Sequence, residues 1–267
     1  MNALFKKVLI LCLLFMPVWV SAAEISRAFM PEHENGEVIY FDKKTSERRS
    51  ASSFFTERIL RDNRVIYKYT ANGKGDYDEY EDVTFDMEAE MEERDGFLYP
   101  IYSSNSIKDK NGDLIVKHEK TFDYSGRRIQ YIILDTGGDI IKKAVFPIKG
   151  KTVDGPTLIH FLKAFAAHRN EKEYRAFYLI SDRAHLYRVN VRDMGVETLE
   201  LAGGKIEAIK LRLIPDLGLL TGIAKSMVPP TFIWFTAQEP YDWLQYEGLE
   251  TDIGSTHVLI RKSKKMK

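Results

Sequence analysis

Between Val83 and Glu92 the chain alternates without a break: Val83, Phe85, Met87, Ala89 and Met91 are apolar, and every residue between them is polar. Successive side chains of an extended strand point to opposite faces, so this segment predicts a strand with one apolar and one acidic face. A helix would scatter the same apolar residues around its circumference. Segments rich in Tyr, Phe, Ile and Val at 36–42, 53–62, 64–71, 96–104, 114–124, 127–134 and 139–146 predict further strands. Between them, Asp95-Gly96, Asn111-Gly112, Ser125-Gly126 and Gly137-Gly138 offer the positive φ of tight turns, as Gly203-Gly204 does later on. The implied topology is an antiparallel meander.

The rhythm changes once. From 154 to about 168, Leu158, Phe161, Leu162 and Phe165 fall at i, i+3, i+4 and i+7, the stripe of an amphipathic helix. Asp154 suits the N-cap, Pro156 is tolerated in the first turn, and His168 and Arg169 suit the negative C-terminal end. Strands then resume at 173–181, 184–193, 196–201, 205–214, 231–236, 243–250 and 255–260. Leu217, Leu220, Ile223, Ala224 and Met227 fit a short helical stripe, but Gly218 and Gly222 weaken it by about 1 kcal/mol each relative to Ala, so 217–227 is read as an apolar loop. Pro229-Pro230 ends that loop. No linker or repeat divides the chain, so one domain is expected.

The first residues carry an address. Lys6 and Lys7 precede a 13-residue apolar run, Val8 to Val20, which then gives way to Ser21, Ala22 and Ala23. That run suits a signal h-region and is shorter than the ~20 residues of a membrane-spanning helix. Cleavage after Ala22 or Ala23 is expected, leaving residues 24–267 as a single soluble domain in the periplasm. It would also remove Cys12, the only cysteine. The exported chain could then form no disulfide and offer no thiol nucleophile. Losing Lys6 and Lys7 takes the basic count from 39 to 37 against 39 acidic residues. That balance gives no basic face for nucleic acid. The basic cluster from Arg261 to Lys267 reads as a solvated tail with at most peripheral contact to anionic lipid.

Four fragments invite a chemical reading and fall short of it. Asp135-Thr136-Gly137 has the loop of an aspartic protease, but its would-be partner Asp252-Ile253-Gly254 lacks the Thr, and both read as hairpin turns. Gly150-Lys151-Thr152 lacks the leading Gly of a phosphate loop, where Val145 stands. The six histidines show no ligand spacing and read as surface or capping residues. Alternate carboxylates on the 83–92 strand stand ~7 Å apart, too spread for one calcium ion. No Gly-x-Ser-x-Gly elbow is present. The chain is therefore read as non-enzymatic, without a metal or other cofactor.

A family likeness covers mainly 154–260. Gly155-Pro156-Thr157-Leu158 entering the helix, Tyr187 to Val191, Gly203 to Ala208, Phe232-Ile233-Trp234-Phe235-Thr236 and a closing strand opened by Gly254 together resemble the bacterial exported domain-of-unknown-function family 3108. The resemblance implies a fold akin to the LolA and LolB lipoprotein carriers: mainly β, a strongly curved antiparallel sheet or incomplete barrel with the helix packed on it. It implies no catalytic residue. A pocket between the concave sheet and the helix, lined by Phe85, Met87, Met91, Phe161 and Trp234, is then expected to accept an acyl chain or similar apolar ligand. Such a role calls for a void above about 300 Å³. The alternative is an envelope protein that docks a partner and holds no ligand.

Overall fold

The computed structural model describes residues 31–94, 97–169, 175–201, 203–216 and 228–263. The expected signal segment with Ala22 and Ala23, the 217–227 loop, the Asp95-Gly96 turn and the end of the basic tail lie outside the described residues.

The first half is a run of eight strands: β1 (His33–Asp42), β2 (Arg48–Arg61), β3 (Arg64–Tyr77), β4 (Tyr80–Arg94), β5 (Phe97–Lys108), β6 (Leu114–Asp123), β7 (Arg128–Leu134) and β8 (Ile140–Pro147). A three-residue strand, β9 (Thr152–Asp154), leads into α1 (Gly155–Ala167). The second half contains β10 (Ala176–Ile180), β11 (Leu186–Leu201), β12 (Gly204–Asp216), β13 (Thr231–Thr236), β14 (Trp243–Leu249) and β15 (His257–Lys262). All fifteen form one sheet in the order β8-β7-β6-β5-β4-β3-β2-β1-β15-β14-β13-β12-β11-β10-β9. Every pairing is antiparallel except β9 with β10, which α1 connects as a crossover.

The expected meander holds within each half and breaks between β8 and β9, which are consecutive in sequence yet occupy opposite edges. Only residues 148–151 join them, a reach of less than about 20 Å at ~3.5 Å per residue. A flat sheet of this many strands, ~4.8 Å apart, would be about 65–70 Å wide. The short link therefore requires a sheet curled until its edges nearly meet. It is not closed into a barrel, because no β8–β9 ladder forms.

Side chains seal the gap instead. Phe122, Ile129, Ile148 and Ile180 form one apolar cluster across it. Beside them, Lys120 on β6 donates to Asp182 Oδ1 at 2.5 Å and lies 3.6 Å from Asp154 Oδ2. Ser103 Oγ on β5 donates to Asp154, and Tyr131 Oη on β7 donates to the Asp182 carbonyl. Lys120 is only 2% exposed. Burial opposes its charge, but Asp182 and Asp154 outweigh that and raise its pKa, while Lys120 lowers that of Asp182.

Strand β4 matches its sequence pattern: Val83, Phe85, Ala89 and Met91 are buried and Met87 half-buried. On its outer face Glu90 pairs with Arg61 and Asp86 with Lys108. Phe85 is possible because its cross-strand partner is Gly73, where any Cβ would come within 2.0 Å of the ring. The helix also starts where expected. Asp154 Oδ1 accepts from Thr157 Oγ1 at 2.7 Å, and the Asp154 N–H donates to Thr157 Oγ1 at 3.2 Å.

Three details differ from the sequence reading. The segments 184–193 and 196–201 are one strand, β11, carrying a bulge where Gly195 takes φ 90° and donates to Asp193 Oδ1. At Ser125-Gly126 the positive φ belongs to Arg127, at 51°. The basic cluster starts inside β15, where Arg261 donates to Gln245 and Lys262 to Glu34.

Candidate ligand-binding cleft

Helix α1 lies in the concave face of the sheet but covers only part of it. Leu158, Phe161, Leu162 and Phe165 enter the main core, where Phe161 and Phe165 meet Phe97 and Phe177 at ring distances of 5.3–6.0 Å. The helix side carrying Gly155, Pro156, Ile159, His160 and Lys163 faces a cleft of about 170 Å³. Across the cleft floor, Tyr246 on β14, Ile260 on β15 and Tyr40 on β1 are register partners and form one row. Phe54, Tyr69 and Met87 extend that floor on β2, β3 and β4, and Leu179 on β10 and Trp243 on β14 also line the cleft.

The two ends of the cleft are polar and differ. At one end Glu34 lies 2.7 Å from Lys262 and 3.7 Å from Lys163, which also reaches Asp242 at 3.5 Å. Burial works against the Glu34 charge, but the two lysines hold its pKa at about 2. Burial drives His160 down to about 4, so at neutral pH it packs uncharged, edge-on to Tyr69 at 5.1 Å.

At the other end, Asn105 Nδ2 donates to Tyr77 Oη and to Asp182 Oδ2, each at 3.2 Å. Glu250 Oε2 accepts from the Asp78 N–H at 2.8 Å and from Arg49 at 3.3 Å. Two acceptors at this end, Asn105 Oδ1 and Glu250 Oε1, have no hydrogen-bond partner among the described residues. The Trp243 Nε1 donor at the start of β14 is likewise unpaired. Leaving such a group dry costs about 1–3 kcal/mol.

Burial pushes Glu250 up to about 7, and Arg49 only partly offsets it. A carboxyl with a raised native pKa binds more protons folded than unfolded between about 4.5 and 7. Its contribution to stability therefore falls as pH rises through that window. Glu250→Gln removes this loss. Relative to wild type, the variant is expected to gain roughly 3 kcal/mol between pH 4.5 and 7, read by urea unfolding at each pH; a flat difference would contradict the assignment.

Of the five residues expected to line a pocket, only Met87 borders this cleft. Phe85 is fully buried directly behind it, stacked on Tyr77 at 4.5 Å and edge-on to Tyr40 at 5.9 Å. Phe161 faces the aromatic core on the other side of the helix. Met91 belongs to a separate cluster with Tyr67 and Leu98. Trp234 stands on the opposite face of the sheet with Ala208 and Leu244, its Nε1 donating to Glu197 at 2.7 Å. Its neighbours Ile233 and Phe235 point inward, as period two requires. The tryptophan of the cleft is Trp243.

Two further findings bear on chemistry. Asp135 forms the expected surface turn, accepting from the Gly137 and Asp139 N–H groups. Asp252 likewise sits in the expected hairpin turn, between β14 and β15, where the Ser255 N–H donates to its carbonyl, but its carboxylate is buried and accepts from Ser181 at 2.7 Å and Tyr187 at 3.0 Å, with His185 Nδ1 at 2.9 Å. Ser181 bonds the carboxylate and not the imidazole, which is not the order a nucleophilic triad needs. A second depression, of about 340 Å³, lies between β1 and β15; it is lined by Phe41, Leu259 and Arg261, which alternate with the inward Tyr40 and Ile260.

The cleft is also smaller than expected, below the ~300 Å³ typical of drug-sized ligand pockets. No protein-family model matches the chain, and no curated protein matches it. Among solved structures, it is similar to the beta-barrel-like protein of domain of unknown function DUF1849 from Brucella abortus, with a TM-score of 0.48 and 11% identity over 89% of this chain and 98% of that chain.

Proposed function

We propose that this protein is an exported, non-enzymatic binding protein of the periplasm. In this reading it holds the apolar part of a small amphiphile between α1 and the concave sheet, in the manner that a kinship with the LolA-like carriers would imply. One observation carries the proposal: the helix leaves an apolar, partly open strip of the concave face uncovered, with polar groups at both ends. The volume favours a single short chain, or the end of a longer one, over the several chains of a lipoprotein.

Trp243 supplies a direct test. In Trp234→Phe, titration with 1-octanol is expected to change Trp243 emission with saturation. Gly155→Phe, whose added Cβ meets no atom within 4 Å, should fill the cleft and weaken binding at least tenfold. Native mass spectrometry after expression in a cell envelope gives a second readout. No bound amphiphile and no Trp243 response would sink the reading.

A different reading, docking of an envelope protein without a ligand, draws on β8. This edge strand leaves Ile140, Ile141 and Val145 58–61% exposed. Cross-linking that captures a stoichiometric partner through β8, with no ligand in the cleft, would favour it.

A further inference from the structure

We infer that the Tyr77 end of the cleft recognises a neutral, hydroxylated head group offering two hydrogen-bond donors, such as the diol of a single-chain glycerol ester. This rests on the proposal that the cleft holds an apolar chain, and it specifies what that chain carries.

Two of the unpaired groups at this end are acceptors and flank one residue, while the third, the Thr251 hydroxyl, can donate or accept. Asn105 Oδ1 has no partner, while its amide nitrogen is held by Tyr77 and Asp182. That assignment of oxygen and nitrogen follows from the Asp182 carboxylate, which needs a donor facing it. Glu250 Oε1 is also unpaired, while Oε2 is held by Arg49 and by the N–H of Asp78, the residue after Tyr77. Asn105 is 2% exposed and the Glu250 side chain 0%. Both border the cleft. Two fixed acceptors, each held by its other polar atom, select a ligand that donates twice.

Charge narrows the class. The end is ringed by the carboxylates of Asp78, Asp182 and Glu250, each already facing a cation: Arg183, Lys120 and Arg49 respectively. An anionic head would meet the carboxylates with only the Thr251 hydroxyl, and no unpaired cation, to receive it. Lys120 is shared with Asp154, so these groups leave no surplus positive charge, and the balance tips slightly negative. A neutral polyol satisfies both acceptors without disturbing that balance.

The test is a ladder of heads on one chain, measured by titration calorimetry with the folded protein at pH 8. 1-Octanoylglycerol offers two hydroxyl donors, 1-octanol one, and octanoate none. The expected order of affinity is octanoylglycerol, then octanol, then octanoate, with at least tenfold between the first and the last. Glu250→Gln should lower octanoylglycerol affinity about tenfold and leave octanoate within twofold. The ladder is read on wild-type protein, so it stands even if the variant misfolds. Equal affinities across the ladder, or octanoate binding most tightly, would overturn the head-group inference while leaving chain binding intact. Binding of none of the three would overturn both.

Discussion

Lys120→Met is expected to lower the unfolding free energy by about 3–5 kcal/mol, because it strands two carboxylates at the seam of the curled sheet. Lys120 comes from β6, Asp154 from the end of β9 that caps α1 and Asp182 from the turn after β10, so one ammonium ties β6 to the β9–β10 edge, to which no backbone ladder joins it. An exposed ion pair would be worth at most about 1 kcal/mol. Here the lysine is buried and its partners cannot rehydrate without opening the seam. Urea denaturation at pH 7 measures the loss directly. Combining Lys120→Met with Asp182→Asn should recover part of it, since the double variant buries one charge fewer. A loss below 1 kcal/mol, or strict additivity, would show that the seam is held by its apolar cluster alone.

The second large effect is expected at Phe161. Its ring is fully buried among Phe97, Tyr99, Phe165 and Phe177, and truncation of such a side chain to alanine costs about 3–5 kcal/mol. Phe161→Ala should therefore destabilise the fold by that amount in urea and diminish the near-ultraviolet aromatic dichroism. It should also loosen α1 from β5, enlarging the cleft from behind. If the variant loses less than 1 kcal/mol, the helix is not the plug of the concave face.

Much of this architecture can be read along the chain. Period-two alternation locates the strands, because one face of the sheet meets α1 and the core while the other meets solvent; β4 is the clearest example. The Leu158 to Phe165 stripe and the Asp154 cap locate the helix. What alternation cannot say is which inward residue ends beside a void. Phe85 and Met87 share a face, yet Phe85 is covered by Tyr77 and Tyr40 and only Met87 reaches the cleft. β13 misleads differently: Phe232 to Phe235 are apolar on both faces, so nothing local tells Trp234 from Ile233. The seam did leave a trace in the sequence. On β6 the inward row Val116, Lys120 and Phe122 places a lysine where an apolar residue belongs, and a charge in such a position must find a buried counter-charge. Its partners, 34 and 62 residues away, are beyond any local pattern.

The pairing of β15 with both β1 and β14 sets an order of assembly. β15, the C-terminal strand of the described residues, is the one that joins the two halves in the middle of the sheet. Until residue 262 is available, β1 presents an open edge and the halves have no shared ladder. The β1–β15 ladder closes the longest loop of any pairing among the described strands, so it carries the largest closure entropy. A chain of this design cannot complete its sheet before β15 exists, however early the hairpins on either side have formed.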